Sequence, residues 1–507
     1  MTGLMWRDLK QLTGPWDVLI VGGGITGAGI LGLATRLGWR ALLLEQRDFA
    51  WGASSRSGKL VHGGLRYLAQ GRVRLTRESV RERERLLAEA PGLVEPQPFL
   101  LPVYRGQTGR KIRYRAGLWL YDRLAGQRTR RSFDAADLGH REPCLDHPDL
   151  VGGFSYRDAR TDDARLVLRL ILDAVREGGF ALNYAPVTGL LTSGAGQVSG
   201  VTGTDEVSNR CFAVKAGMVI NAAGAWSDRL REHIGGAPVL RPLRGSHLVF
   251  PATRLPLGQG VNLVHPEDGR PLYAFPWEGV TLVGTTDLDH RGDLQGEPAV
   301  TPAEKTYLLE AVQAFFPSLG LREEDIQAAF AGIRPVVGTG HRDPSRESRD
   351  MFLREEKNLI TVTGGKLTTF RLLAQRALEL AGKKLSLDTC ALAGCRVFSE
   401  DLAQSADPLA RRLLARYGPA GACLPPGDQI PGTLYHWGEV GLAATEMVVH
   451  LDDLLLRRLR LGLVAPRAPW LERIGAIVRP ALGWDDARWR WEQDRYRGIL
   501  ARAYRPG

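Results

Sequence analysis

Cysteine is scarce in this chain, with five (Cys144, Cys211, Cys390, Cys395 and Cys423) among 507 residues. The number is odd and the spacing is not that of metal ligands, which argues against a disulfide framework and a zinc site; a reducing cytoplasm is the simplest setting. Long apolar runs are missing as well. No uninterrupted stretch is long enough to span a bilayer, so any membrane contact is expected to be peripheral. The opening MTGLMWRDLKQLTGPWD lacks the apolar core of a secretion signal. Internal repeats and low-complexity segments are absent. So are a G-x-S-x-G nucleophile elbow and a P-loop, which argues against hydrolase and NTPase chemistry.

What is present is basic and of ordinary globular composition. The formal net charge is +11, carried mostly by scattered arginine. Such a balance favours an anionic substrate, anionic lipid or nucleic acid, and charge alone does not choose among them. The length suffices for two or three domains with their own cores.

The most informative stretch is DVLIVGGGITGAGILGLATRLGWRALLLE, Asp17 to Glu45. Val18 to Val21 suit a buried parallel strand, and Gly22, Gly24 and Gly27 follow at the G-x-G-x-x-G spacing. Gly22 permits a tight turn, Gly24 lets a pyrophosphate approach the backbone, and Gly27 lets the next helix lie close to the strand. The phosphates would then sit at a helix N-terminus. A second apolar run, Ala41 to Leu44, ends at Glu45, whose carboxylate is placed to accept hydrogen bonds from ribose hydroxyls. An acid there favours FAD or NAD over NADP. The loop that follows, QRDFAWGASSRSGKLVHGGLRYL, is too polar and glycine-rich for a core helix. Its Ser54, Ser55 and Gly63-Gly64 turn are expected to face the pyrophosphate and flavin.

The segments GGGITGAGI and SSRSGKLVHGGLRYL together resemble the aerobic, FAD-dependent glycerol-3-phosphate dehydrogenases. Three later segments agree in order: RPLRGSHLVF from Arg241, VGTTDLDHRGD from Val283, and GIRPVV with GGKLTTFR from Gly332 and Gly364. The resemblance is close over about residues 15 to 380 and loose beyond. It implies FAD as cofactor, and a cofactor site to which Ile25, Lys59, Leu60, His62, Val187, Ala223, Gly224, Gly332, Gly365, Lys366, Leu367 and Thr368 contribute. Family members often carry Thr where this chain has Ala223.

The fold expected is α/β, of the D-amino-acid-oxidase-like flavoprotein type. A discontinuous Rossmann-like FAD-binding domain would comprise 15–90, 151–240 and 331–383. An antiparallel-sheet substrate or cap domain would comprise 91–150 and 241–330, and a separate helical domain 384–507. For the last, regulation, contact in a homodimer and membrane docking all stand open. Within 76–90 the alternating charges of TRESVRERERLLAEA read as a solvated helix face without chemistry. In GRKIRYRAGLWLYDRLAG, Arg110, Lys111, Arg113 and Arg115 precede Leu118, Trp119, Leu120 and Tyr121. That pattern fits a helix on a membrane surface, and equally one whose apolar part packs inside the molecule.

The resemblance implies oxidation of the C2 alcohol of sn-glycerol 3-phosphate to dihydroxyacetone phosphate, with electrons passed on to a membrane quinone. The protein would lie in the cytoplasm, peripheral at the inner face of the cell membrane, and would not bind nucleic acid. Arg66 and Arg334 would contact phosphate or substrate oxygens and Lys366 would place a charge near the flavin. His247 would be the general base, since imidazole accepts a hydroxyl proton near neutral pH; His62 is its competitor. All four line up as catalytic and substrate-binding residues. The rivals are an oxidase of the same family that uses oxygen, an amine or amino-acid oxidase of the same fold, and a flavin-binding scaffold without turnover.

Overall fold

The strand Trp16–Val21 is flanked on both edges, in parallel, by Ala41–Leu44 and Arg210–Asn221. A strand so placed buries both its faces, and its side chains divide with the two-residue period of the pleat. Val18 and Ile20 join Leu43, Ile220 and Ile360 in one apolar cluster, whereas Leu19 joins Leu42, Val219 and Leu359 in another. The first cluster is completed by the helices Ile25–Arg36, Asp163–Arg176 and Phe370–Leu385. The second is closed by the antiparallel strands Val187–Thr192 and Val198–Asp205. The sheet runs in the order Met351–Glu356, Leu359–Gly364, Arg210–Asn221, Trp16–Val21, Ala41–Leu44, Phe180–Leu182. These relations come from a computed structural model that describes residues 9–505 apart from 345–346, 348–349, 399–404, 426 and 468.

A second, ten-stranded sheet lies beside the first and is almost wholly antiparallel. Its longest pairings are Val94–Tyr104 with Leu150–Thr161, and Leu240–Pro251 with Ala328–Val337. Two strands of this sheet cross the expected boundaries at 150/151 and 330/331. The whole strand Leu150–Thr161 belongs to this sheet, and the chain enters the cofactor half only at Asp162, whose carboxylate caps the helix Asp163–Arg176 by accepting from the Arg165 amide. Likewise GIRPVV pairs with Leu240–Gly245 and leaves the sheet at Val337.

Three further expectations meet the packing. The helix Val73–Glu89 is not simply solvated, since Ser79, Glu82 and Arg83 are buried. Glu82 pairs with Arg371, and Arg83 with Asp158 at 2.7 Å. The helix Thr108–Ala125 divides its apolar residues: Leu118 and Tyr121 are buried, whereas Ile112 and Trp119 are 66% and 51% exposed. The inward-packing reading holds for Leu118 and Tyr121, whereas Ile112 and Trp119 face solvent. The C-terminal helices, among them Pro408–Tyr417, Trp437–Ala444, Leu471–Leu482 and Asp486–Ile499, share one apolar cluster with Phe99, Tyr156, Phe275 and Phe330 of the second sheet. They form a C-terminal helical region that packs against the second sheet. No helix among the described residues is long and apolar enough to cross a membrane.

Candidate active site

The turn after Trp16–Val21 leaves no space for side chains. Gly22 has φ of +117°, and a Cβ there would sit 2.5 Å from the Ala222 carbonyl oxygen. At Gly27 a Cβ would sit 1.9 Å from the Gly22 carbonyl oxygen, so the helix Ile25–Arg36 lies as close to the strand as backbone allows. Gly24 opens that helix, and the Ile25 amide donates to the Ser54 hydroxyl at 2.9 Å. Glu45 spans the same turn: its carboxylate accepts the Gly23 amide at 2.6 Å and the Arg47 amide at 2.8 Å. Burial pushes the Glu45 carboxyl up to about 7, against those two amides, which lower it.

Two other segments return to this place. The Ala223-Gly224 turn ends Arg210–Asn221, and Thr363 donates to the Gly224 carbonyl at 3.1 Å. Leu359–Gly364 ends in Gly364 and Gly365, both with positive φ, and Leu367–Thr369 then winds into Phe370–Leu385. Together they close a cavity of about 600 Å³, lined among others by Gly22, Gly24, Ile25, Glu45, Ser54, Val187, Ala223, Gly224, Gly332, Gly365, Leu367 and Thr368. Its size falls within the range of small-molecule and cofactor sites.

The second sheet, the turn and short helix that follow Leu60–Val61, and the segment after Gly365 supply the remaining walls. Leu60, His62, Gly64, Arg66, His247, Arg334 and Lys366 line the same cavity. His247 is buried and stacked on Phe330 with ring centroids 4.8 Å apart. Burial first, then the charges of Arg334 and Lys59, hold its imidazole well below the usual histidine range, so the ring is neutral. Its Nδ1 has no hydrogen-bond partner among the described residues. Arg334 donates to the Asp287 carboxylate at 2.5 Å and to the Thr285 hydroxyl at 2.8 Å. Lys366 Nζ lies 3.5 Å from the centre of the Tyr67 ring and donates to the Ser79 hydroxyl at 3.2 Å.

Three expected cofactor residues lie outside the cavity lining. Ser55 is buried, and its carbonyl accepts the Lys59 ammonium at 2.5 Å. Lys59 is itself turned inward onto the Asp163 carboxylate at 2.8 Å, and burial draws its ammonium down to about 7. Gly63 gives its amide to Asp158 at 2.8 Å, and a Cβ there would meet the Tyr121 hydroxyl. All three brace the loop from behind. Conversely, Tyr67, Trp226, Tyr273 and Asp287 line the cavity and went unassigned in the sequence. Tyr67 and Asp287 sit within quoted motifs and Trp226 stands two residues after Gly224, whereas Tyr273 carries only a strand pattern. No His, Cys, Asp and Glu cluster suited to a metal ion occurs among the described residues.

The residues present fit a dinucleotide. A glycine turn without room for side chains, a helix N-terminus and a buried carboxylate meet, and the buried Trp226 Nε1 in the same wall has no acceptor among the described residues. Gly22, Gly24, Ser54 and Glu45 would hold the adenosine diphosphate, with Gly365, Lys366 and Leu367 beside the flavin.

The comparisons with known proteins agree. Residues 17–379 match the model of the family described as FAD dependent oxidoreductase. An aerobic glycerol-3-phosphate dehydrogenase of Staphylococcus aureus is 38% identical over 379 residues, which are 74% of this chain and 68% of that protein. Among solved structures, a glycerol-3-phosphate dehydrogenase from Bacillus halodurans complexed with FAD superimposes with a TM-score of 0.75 at 28% identity, covering 97% of this chain and 96% of its own. An L-alpha-glycerophosphate oxidase from Mycoplasma pneumoniae shares the fold, with a TM-score of 0.60 at 20% identity over 73% of this chain and 95% of its own. The chain belongs to the FAD-dependent oxidoreductases and, within them, to the aerobic glycerol-3-phosphate dehydrogenases.

Proposed function

We propose that this cavity binds FAD together with sn-glycerol 3-phosphate and that the chain oxidises the C2 alcohol to dihydroxyacetone phosphate. The observation that carries the reading is the convergence of Arg66, Arg334, Lys366 and the neutral His247 on the cavity that the glycine turn and Glu45 also line. Bound flavin supplies the acceptor for the hydride that leaves C2. The chain does the rest. The guanidinium groups of Arg66 and Arg334 meet the phosphate dianion, for which two cations in a fixed fork geometry are well suited. The two nitrogens of a neutral His247 include one acceptor, which takes the C2 hydroxyl proton as the carbonyl forms. Lys366 places positive charge where negative charge builds up during transfer. Three cations in one cavity favour a phosphorylated substrate over an amino acid, whose single carboxylate needs fewer.

The electron acceptor in this reading is a membrane quinone, reached from the membrane surface. The support is the helix Thr108–Ala125, which exposes Ile112 and Trp119 among Lys111, Arg113 and Arg115. An apolar pair set in a basic rim is the pattern of a segment that lies in the interface of an anionic bilayer.

An anaerobic titration tests the whole. The yellow holoprotein is expected to bleach on addition of sn-glycerol 3-phosphate and to keep its colour with glycerol or an amino acid. Recolouring by a quinone analogue faster than by air supports the dehydrogenase. Recolouring by air with formation of peroxide indicates an oxidase. Failure to bleach with glycerol 3-phosphate removes the proposal.

A further inference from the structure

The cavity wall formed by residues 51–54 and 56–58 is fastened from behind by residues that lie beyond the matched 17–379. Arg460 is the centre of this fastening. Its Nε donates to Asp162 at 2.8 Å, one terminal nitrogen donates to the Ser55 carbonyl at 3.1 Å, and the other meets Asp163. Asp163 in turn accepts the Ser57 amide at 2.9 Å, the Ser57 hydroxyl at 2.7 Å and the Lys59 ammonium at 2.8 Å. Ser54, next to the carbonyl that Arg460 holds, accepts the Ile25 amide at the mouth of the glycine turn. Further along, Arg457 and Arg458 both reach Asp48, and the Tyr504 hydroxyl accepts from Arg56 at 3.1 Å while donating to Glu297 at 3.0 Å.

The charges balance. Around Arg460, Lys59, Arg416 and Arg460 itself face Asp162, Asp163 and Glu439. Each of these side chains is at most 2% exposed. A buried ionic network is an expensive way to obtain stability alone, because apolar side chains of similar volume would serve as well or better. It does fix geometry. Here the geometry fixed is that of the loop facing the glycine turn.

We infer that Arg460 is a positioning residue of the FAD site, and that docking of the segment Leu454–Arg460 and binding of the cofactor are coupled. The segment holds the Ser54–Ser57 wall against the start of helix Ile25–Arg36, and bound cofactor, by holding that wall, holds the segment. Coupling of this kind acts equally in both directions. The inference rests on FAD binding in this cavity.

The test uses the full chain freed of flavin and then reloaded. Amide hydrogen exchange over residues 454–464 of the unaltered protein is expected to slow severalfold when FAD is added; unchanged exchange, with FAD shown to bind by its fluorescence, overturns the inference. If the unaltered chain binds no FAD, the reading of the cavity itself falls. Arg460→Lys keeps the charge and loses the fork. Its FAD dissociation constant is expected to rise about tenfold or more, with a changed flavin circular dichroism spectrum. Arg169→Lys serves as control, because Arg169 is buried and pairs with Asp173 and the Leu414 carbonyl. It is expected to lower the melting temperature while leaving FAD affinity within about twofold, the range of additive, uncoupled sites. Equal affinity loss in the two variants marks a general effect of destabilisation and overturns the inference. Should Arg460→Lys fail to fold, the exchange measurement decides alone.

Discussion

Arg334 and Asp287 form a pair 2.5 Å apart in the wall of the cavity, with the Thr285 hydroxyl accepting the other arm of the guanidinium at 2.8 Å. Asp287 also takes Arg270 at 3.3 Å, so one carboxylate orients two arginines. The pair fixes the plane of the Arg334 fork before any anion arrives. Asp287→Asn removes a charge and keeps the shape. The expected result is a rise of about tenfold in KM for glycerol 3-phosphate with a smaller change in kcat, because ground-state and transition-state binding of the phosphate weaken together. A larger fall in kcat than rise in KM would place Arg334 on the reacting carbon instead of the phosphate.

His247 is buried between Arg334, Lys59 and the Phe330 ring, and each of these surroundings except the ring repels a second proton. A base must be unprotonated to act. Its depressed titration therefore leaves kcat/KM flat from about pH 6.5 upward, with activity lost only on the acid side, below the ordinary histidine value of about 6.5. The same depression stabilises the fold above the ordinary value and is lost as pH falls through the lowered one. His247→Asn is expected to slow flavin reduction in single-turnover mixing by about 10²- to 10⁴-fold, the usual worth of a positioned base. Equal reduction rates in the two proteins would assign the base elsewhere, His62 being next in the cavity lining.

Glu45 titrates near 7 in the chain without cofactor, raised from 4.5 by burial. A carboxyl raised on folding stabilises the fold below pH 4.5 and loses that contribution as pH rises to about 7. Ribose hydroxyls donate to the ionised form, so FAD binding releases a proton. FAD affinity is accordingly expected to rise by about tenfold per pH unit up to about pH 7 and to level off above it. Fluorescence titrations from pH 5.5 to 8 measure this. Glu45→Gln should flatten the dependence, and a dependence that survives the substitution belongs to another group.

The first βαβ unit was legible because all its signals are local: strand, glycines, helix, second strand and acid follow one another within Asp17 to Glu45. The shared cavity of the four proposed site residues Arg66, His247, Arg334 and Lys366 was legible only through their motifs, since nothing in the spacing of 66, 247, 334 and 366 brings them together. The inward turn of Lys59 was not legible. Its partner Asp163 lies 104 residues on, and that partner's other cation, Arg460, a further 297. An arginine-rich C-terminal text reads as surface until the carboxylates that neutralise it are found. The reach of the strand Leu150–Thr161 was hidden for a related reason: its pairing partner, Val94–Tyr104, lies before two helices and a further strand.

Helix Thr108–Ala125 carries the remaining prediction. Leu118 and Tyr121 anchor it inward, Tyr121 donating to Asp158 at 2.6 Å, and so the helix cannot turn its apolar residues away from solvent. Ile112 and Trp119 stay outside, with Arg123 5.8 Å from the Trp119 ring. Each basic residue near an anionic leaflet contributes about 1 kcal/mol, and buried apolar area adds to it. Flotation with vesicles containing anionic lipid is expected to carry the protein, and added salt to weaken that binding. Changing Lys111, Arg113 and Arg115 to glutamate should reduce binding to anionic vesicles by about tenfold or more at low salt. Ile112→Ser with Trp119→Ser should weaken it at every salt concentration and leave turnover with a soluble dye unchanged. Turnover with a quinone held in the vesicles should then fall in step with binding. If quinone turnover holds while binding is lost, electrons leave the protein without this helix at the membrane.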